Sequence, residues 1–182
     1  KQDIDWFYQG GASLFFPDHW EDFVAPITEA ERGNFPTAYH QLMNGPNELA
    51  RMGAAKAWSS WEAHCSTMHP NQRLIKHFTN PHRALARCKV GTHYFRNSCF
   101  LESNQIVSNA DILKDIPGII VHGRFDMVCP MENAHTLHEA WPNSQLYLVR
   151  EAGHSATEPA LIDALIRATR NMSLRFGDGF GD

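Results

Sequence analysis

The sequence predicts an α/β fold in two parts, with residues 1–110 mostly helical and residues 111–172 carrying the strands. Two observations carry this prediction. Residues 111–172 read as strand, helix, strand, helix, the order of a doubly wound parallel sheet. No stretch before about residue 110 has the β-branched pattern of a strand. A length of 182 residues, 43% hydrophobic and 20% charged, is an ordinary globular balance and long enough for one sizeable core.

In the first part, GGASLFFPDHW is a loop of glycines followed by aromatics, and Thr28-Glu29-Ala30-Glu31 has the spacing of a capping box opening a short helix. From Ala38 to Leu85 the pattern is of helices broken by turns. Tyr39, Leu42 and Met43 fall on one helical face, Leu49, Met52, Ala55 and Trp58 on another, and Asn44-Gly45-Pro46 separates the two.

The pattern changes at Ile116. Pro117 to Gly123 is a short β-branched run closed by glycine, which suits a strand buried on both faces of a parallel sheet. Pro130 to Trp141 follows as a helix with proline at its first turn, then Gln145 to Val149 as a second strand. Glu158 to Met172 is a second helix, with Leu161, Leu165, Ala168 and Met172 on its stripe. Two such strands do not make a doubly wound sheet by themselves, so the rest of the sheet is expected from sequence outside this chain. Residues 173–182, Gly-rich and acidic, are expected to form a flexible tail.

Composition excludes several classes. The formal charge of −4 is small and the basic residues are scattered, which argues against nucleic acid and an anionic membrane as partners. No apolar stretch reaches the roughly 20 residues that span a bilayer. The N-terminal KQDIDWFY has neither an initiator Met nor the apolar core of a signal peptide, and the chain is expected to begin in the middle of a longer one. Cys65, Cys88, Cys99 and Cys129 are far apart with no CxxC, which points to a reducing, cytoplasmic setting. The eleven histidines show no HxxxH or HExxH spacing with a carboxylate partner, so no metal is expected; His135 and His138 belong on a partly exposed helix.

Open α/β sheets place functional groups just past the C-terminal ends of their strands. Past the first strand comes HGRFDMVCP, past the second EAGHSATEP. Each loop offers one group with acid–base chemistry, Asp126 and His154. Alone, Asp126 reads as a helix cap and His154 as a loop histidine. Together, in acid-then-histidine order, they read as two members of a Ser-His-Asp triad. Ionised Asp126 would hold the Nδ1 proton of His154, leaving Nε2 to take a serine proton and return it to a leaving group. Cys129, three residues past the acid, is either a small apolar filler under the loop or a border of the pocket.

The run DIPGIIVHGRFDMVCPMENAHTLHEAWPNSQLYLVREAGHS resembles the C-terminal segment of proline iminopeptidases, α/β-hydrolases that remove an N-terminal proline from peptides. DWFYQGGASLFFPDHWEDFVAPI, AWSSWE and HYF resemble the helical cap of that family, so the similarity extends to about Met172. It implies the C-terminal part of an α/β-hydrolase sheet preceded by a mostly helical cap, a serine-type aminopeptidase, a peptide substrate with an N-terminal proline, and no cofactor. By the same resemblance Glu62 meets the proline ammonium, a charge-assisted contact, while Phe7 and Tyr8 wall the ring. Read without it, Glu62 solvates a helix face behind Trp58 and Trp61, and the two aromatics are core.

Two departures matter. Where the family carries a second glutamate, three residues before the Tyr of HYF, this chain has Gly91; Glu102 is a candidate substitute. And no GxSxG occurs: Ser13 and Ser155 are not in strand-to-helix elbows. The serine and oxyanion hole are therefore expected on a missing N-terminal segment of the same protein, leaving this chain inactive alone. The competing functions are another capped α/β-hydrolase (an esterase or amidase), an inactive fragment, and a partner-binding scaffold.

Overall fold

The computed structural model describes residues 2–177. It divides into two compact units between Ser103 and Asn104.

The first unit is helical throughout: α1 (Gln2–Tyr8), α2 (Pro17–Val24), α3 (Phe35–Asn44), α4 (Glu48–Cys65), α5 (Gln72–Phe78) and α6 (Pro81–Arg96). Four of these helices start on asparagine. Asn34, Asn47, Asn71 and Asn80 cap α3 to α6, each side-chain oxygen accepting an N–H of the first turn. Such a cap is worth about 1 kcal/mol. Pro36 and Pro81 sit just inside α3 and α6, where a missing N–H costs nothing. Thr28 opens only a 3-10 turn, Glu29–Glu31, and its hydroxyl donates to the Glu31 side chain instead of accepting a backbone N–H, so the short turn forms without the capping box.

The core of this unit is aromatic. Phe23 stacks on Tyr39 at 5.0 Å and lies 5.7 and 5.6 Å from Trp58 and Trp61; all four are buried. On α4 the buried stripe runs through Ala54, Ala55, Trp58, Trp61 and Cys65. Leu49, expected on it, is 85% exposed, because the inward face begins one turn later.

The second unit holds α7 (Gln105–Ser108), β1 (Gly118–Gly123), α8 (Met131–Ala140), β2 (Ser144–Val149) and α9 (Pro159–Phe176). β1 and β2 pair in parallel, Gly118 opposite Ser144 through Gly123 opposite Val149, and α8 is the crossover between them. Trp141, at the end of α8, donates from Nε1 to Leu113 O and Ile116 O at 2.8 and 2.9 Å. Its ring fills the space a side chain at position 118 would need, with an added Cβ only 2.1 Å away, so only glycine fits there.

β1 was expected to be buried on both faces. Instead Ile119, Ile120 and Val121 are half-buried, because among the described residues β1 pairs with β2 alone. On α9 the buried stripe is Leu161, Ala164 and Ala168, with Leu165 exposed. The helix runs past Met172 to Phe176; residues 178–182 of the expected tail lie outside the described residues. No described helix is long and apolar enough to cross a membrane.

Candidate active site

The segments following β1 and β2 are joined backbone to backbone. Arg124 N donates to Val149 O at 2.8 Å and Phe125 N to Ala152 O at 2.9 Å. The approach is close enough to exclude a side chain at Gly123, whose added Cβ would stand 2.0 Å from Gly153 O. This contact brings the two loops of the sequence reading together.

Asp126 turns inward, its side chain only 5% exposed. Its Oδ1 accepts from the backbone N–H groups of Val128 and Cys129 at 2.9 and 2.8 Å, which orients the carboxylate. Its Oδ2 accepts from His154 Nδ1 at 3.0 Å. The histidine loop is set by Glu158, whose Oε1 accepts from Gly153 N at 2.7 Å. The His154 ring is 40% exposed. Its pKa is pushed up to about 10, first by the hydrogen bond to Asp126 and then by contact with Cys129, against the opposing effect of burial. The hydrogen bond to Asp126 keeps a proton on Nδ1 in both charge states of the ring, and Nε2, which carries the second proton below that pKa, is the nitrogen placed to exchange a proton with a reactant. A shallow cleft of about 300 Å³ lies beside the pair, lined by His122, Asp126, Cys129, His154, Leu161 and Leu165 among others.

His122 was not singled out by the sequence. Its Nε2 lies 3.0 Å from Cys129 O and 3.6 Å from Asp126 Oδ2. A carbonyl only accepts, so Nε2 carries the proton and His122 braces the acid loop. The available signal was its place at the end of β1, four residues before Asp126. Cys129 borders the same cleft. Cys65 and Cys88 are buried in the first unit. Among the described residues no group of three or more His, Cys, Asp or Glu is placed to hold a metal ion.

The remaining candidates lie in the first unit. Glu62, on α4, has its side chain 14% exposed. Its Oε1 accepts from Tyr8 Oη at 2.8 Å and from Trp58 Nε1 at 2.7 Å, while its Oε2 accepts from Arg87 Nη1 of α6. Tyr8 stacks on Trp58 at 4.2 Å and Phe7 on Trp61 at 5.3 Å, and both Phe7 and Tyr8 are buried. Burial, and after it the charge of Glu62, raise the Tyr8 pKa well above its ordinary value, so Tyr8 stays a neutral donor. Glu62 is therefore neither a free carboxylate nor a solvated helix face; it is the centre of a cluster. Arg87, missed in the sequence because its partner is 25 residues away, is the cation of that cluster. Gly91 lies one turn beyond it on α6, and Glu102 is exposed.

No protein-family model matches the chain. Curated proteins do. It is 45% identical over 170 residues to a "Proline iminopeptidase" of Xylella fastidiosa, covering 93% of this chain and 54% of that protein. It is 38% identical over 179 residues to the "Proline iminopeptidase" of Arabidopsis thaliana, covering 97% and 47%, and 37% identical over 164 residues to that of Neisseria meningitidis, covering 90% and 51%. The chain spans about half the length of the curated relatives it matches. It matches the C-terminal part of these α/β-hydrolases, so the β1–β2 pair is part of an α/β-hydrolase sheet preceded by a mostly helical cap.

Proposed function

We propose, from this homology to proline iminopeptidases and from the Asp126–His154 pair, that the chain supplies the acid and histidine of a serine-type aminopeptidase releasing N-terminal proline from peptides. The observation that carries the reading is the 3.0 Å contact of His154 Nδ1 with a carboxylate whose other oxygen is held by two backbone N–H groups. Asp126 orients His154; in the neutral form of the ring, Nε2 takes the proton of a serine hydroxyl as it attacks the prolyl carbonyl, and returns it to the leaving amine. Water then resolves the acyl-enzyme, and no cofactor enters. Glu62 would receive the proline ammonium, with Phe7 and Tyr8 behind it.

The serine belongs, in this proposal, to a GxSxG elbow outside residues 1–182 of the same protein. Its support is the absence of GxSxG from the sequence and a span of about half the relatives' length. The setting is cytoplasmic and the substrate a peptide. In the complete protein, a fluorophosphonate should label a serine outside residues 1–182, and Asp126→Asn should lower kcat on a prolyl amide by up to about 10⁴-fold. Labelling of Ser13 or Ser155, or an unchanged kcat, would reject the assignment.

The engagement of Glu62 by Arg87, with glycine at position 91, favours a second reading, a capped esterase or amidase acting on an uncharged acyl group. Faster turnover of simple esters than of prolyl and alanyl amides would select it.

A further inference from the structure

Every contact of Glu62 described above is made inside the chain. Tyr8 and Trp58, both neutral donors, share Oε1; Arg87 holds Oε2. The guanidinium is anchored from two further sides, by Nη2 donating to Ser59 Oγ at 2.9 Å and by the Phe78 ring, whose centroid is 4.3 Å from Cζ. Its contact with Glu62 uses Nη1 alone, short of the two-pronged fork that makes arginine–carboxylate pairs strongest. Arg87 is 41% exposed while Glu62 is 14% exposed, so the pair is open to water from the arginine side. The anchors on Ser59 and Phe78 hold the guanidinium where it meets the carboxylate.

We propose that Arg87 is a specificity-determining residue: it occupies the carboxylate that reads the amine, and a ligand ammonium reaches Glu62 only by displacing it. This rests on the reading of Glu62 given under Proposed function. A bare carboxylate presents a full negative charge to a cation, whereas the Glu62–Arg87 pair presents none, and Gly91, one turn further along α6, adds no second carboxylate. The site therefore discriminates against a cationic N-terminal nitrogen by competition within the protein, and weak binding of free-amine substrates is built into its charge balance.

The test is KM for a prolyl amide in the complete protein. Glu62→Gln tests the underlying reading and is expected to raise KM. Arg87→Leu removes the competing cation and should lower KM about ten-fold, the worth of one charge-assisted hydrogen bond at the low end of its range, with little change in kcat. Ser59→Ala loosens the guanidinium without leaving Glu62 unpaired and should lower KM about two-fold to three-fold. It guards against misfolding of the leucine variant. Arg87→Lys, which keeps the charge, should stay near the parent. If Glu62→Gln raises KM while Arg87→Leu and Ser59→Ala leave it unchanged or raise it, Arg87 is a structural partner and the inference is wrong. If Glu62→Gln leaves KM unchanged, the amine reading of Glu62 fails, and the inference with it.

Discussion

Replacing Asp126 by asparagine isolates what the acid does to the histidine, and the effect is readable on the chain itself. The side-chain amide of asparagine keeps an oxygen for the Val128 and Cys129 N–H groups, which bond Oδ1 at 2.9 and 2.8 Å, so the loop should hold its shape. The group facing His154 Nδ1 becomes an NH₂ donor, which moves the ring proton to Nε2 and removes the negative charge. The His154 midpoint should then fall from about 10 toward the ordinary 6.5. The assay is the NMR titration of the His154 Cε1–H signal between pH 5 and 11, assigned by comparison with His154→Ala. The sign of the linked stability follows from the raised folded pKa. The contribution of the pair is fully present below pH 6.5 and is lost as pH climbs toward 10. With the ring 40% exposed, solvent screening limits that contribution to about 1 kcal/mol. Thermal unfolding of parent and variant should therefore differ most below pH 6.5 and converge toward pH 10. An unchanged titration midpoint in Asp126→Asn would refute the claim that Asp126 holds the proton on His154.

Gly123→Ala drives a methyl into Gly153 O, 2.0 Å away, and should cost about 1–3 kcal/mol in urea denaturation, with loss of the His154 titration anomaly as the loops part. Gly91→Ala should have the opposite sign: its Cβ would meet only Phe95 at 3.6 Å, an ordinary contact, so removing a glycine from α6 should add about 0.8–1 kcal/mol to stability by the same measurement. In a timed alkylation followed by mass spectrometry, Cys129 should label well before Cys65 and Cys88. Both of these are buried, and burial pushes the Cys88 thiol up to about 11 and the Cys65 thiol higher still. Alkylated Cys129 should also lower the His154 midpoint, since Cys129 helps to hold it up.

The two strands and their helices were legible because their signals are local: β-branched runs closed by glycine, proline at helix starts, and a 3.6-residue period. The asparagine caps of α3 to α6 were equally local but are easily passed over, since each shows only as Asn before a helical stretch. Exposure was less legible. Leu49 sits in correct helical register yet faces water, because periodicity defines a stripe but not where along the helix the neighbouring elements begin; Leu165 faces water because the buried stripe of α9 runs through Ala164 instead.

For the site, the sequence by itself determined the chemistry on offer: an acid and a histidine past successive strands, and a glutamate among tryptophans. Tertiary structure alone decided what each group touches. The meeting of Asp126 with His154 depends on two loops crossing at Gly123, and the pairing of Glu62 with Arg87 on α4 packing against α6. Both contacts are non-local, spanning 28 and 25 residues, and a hydrogen bond has no sequence period from which such a distance can be read.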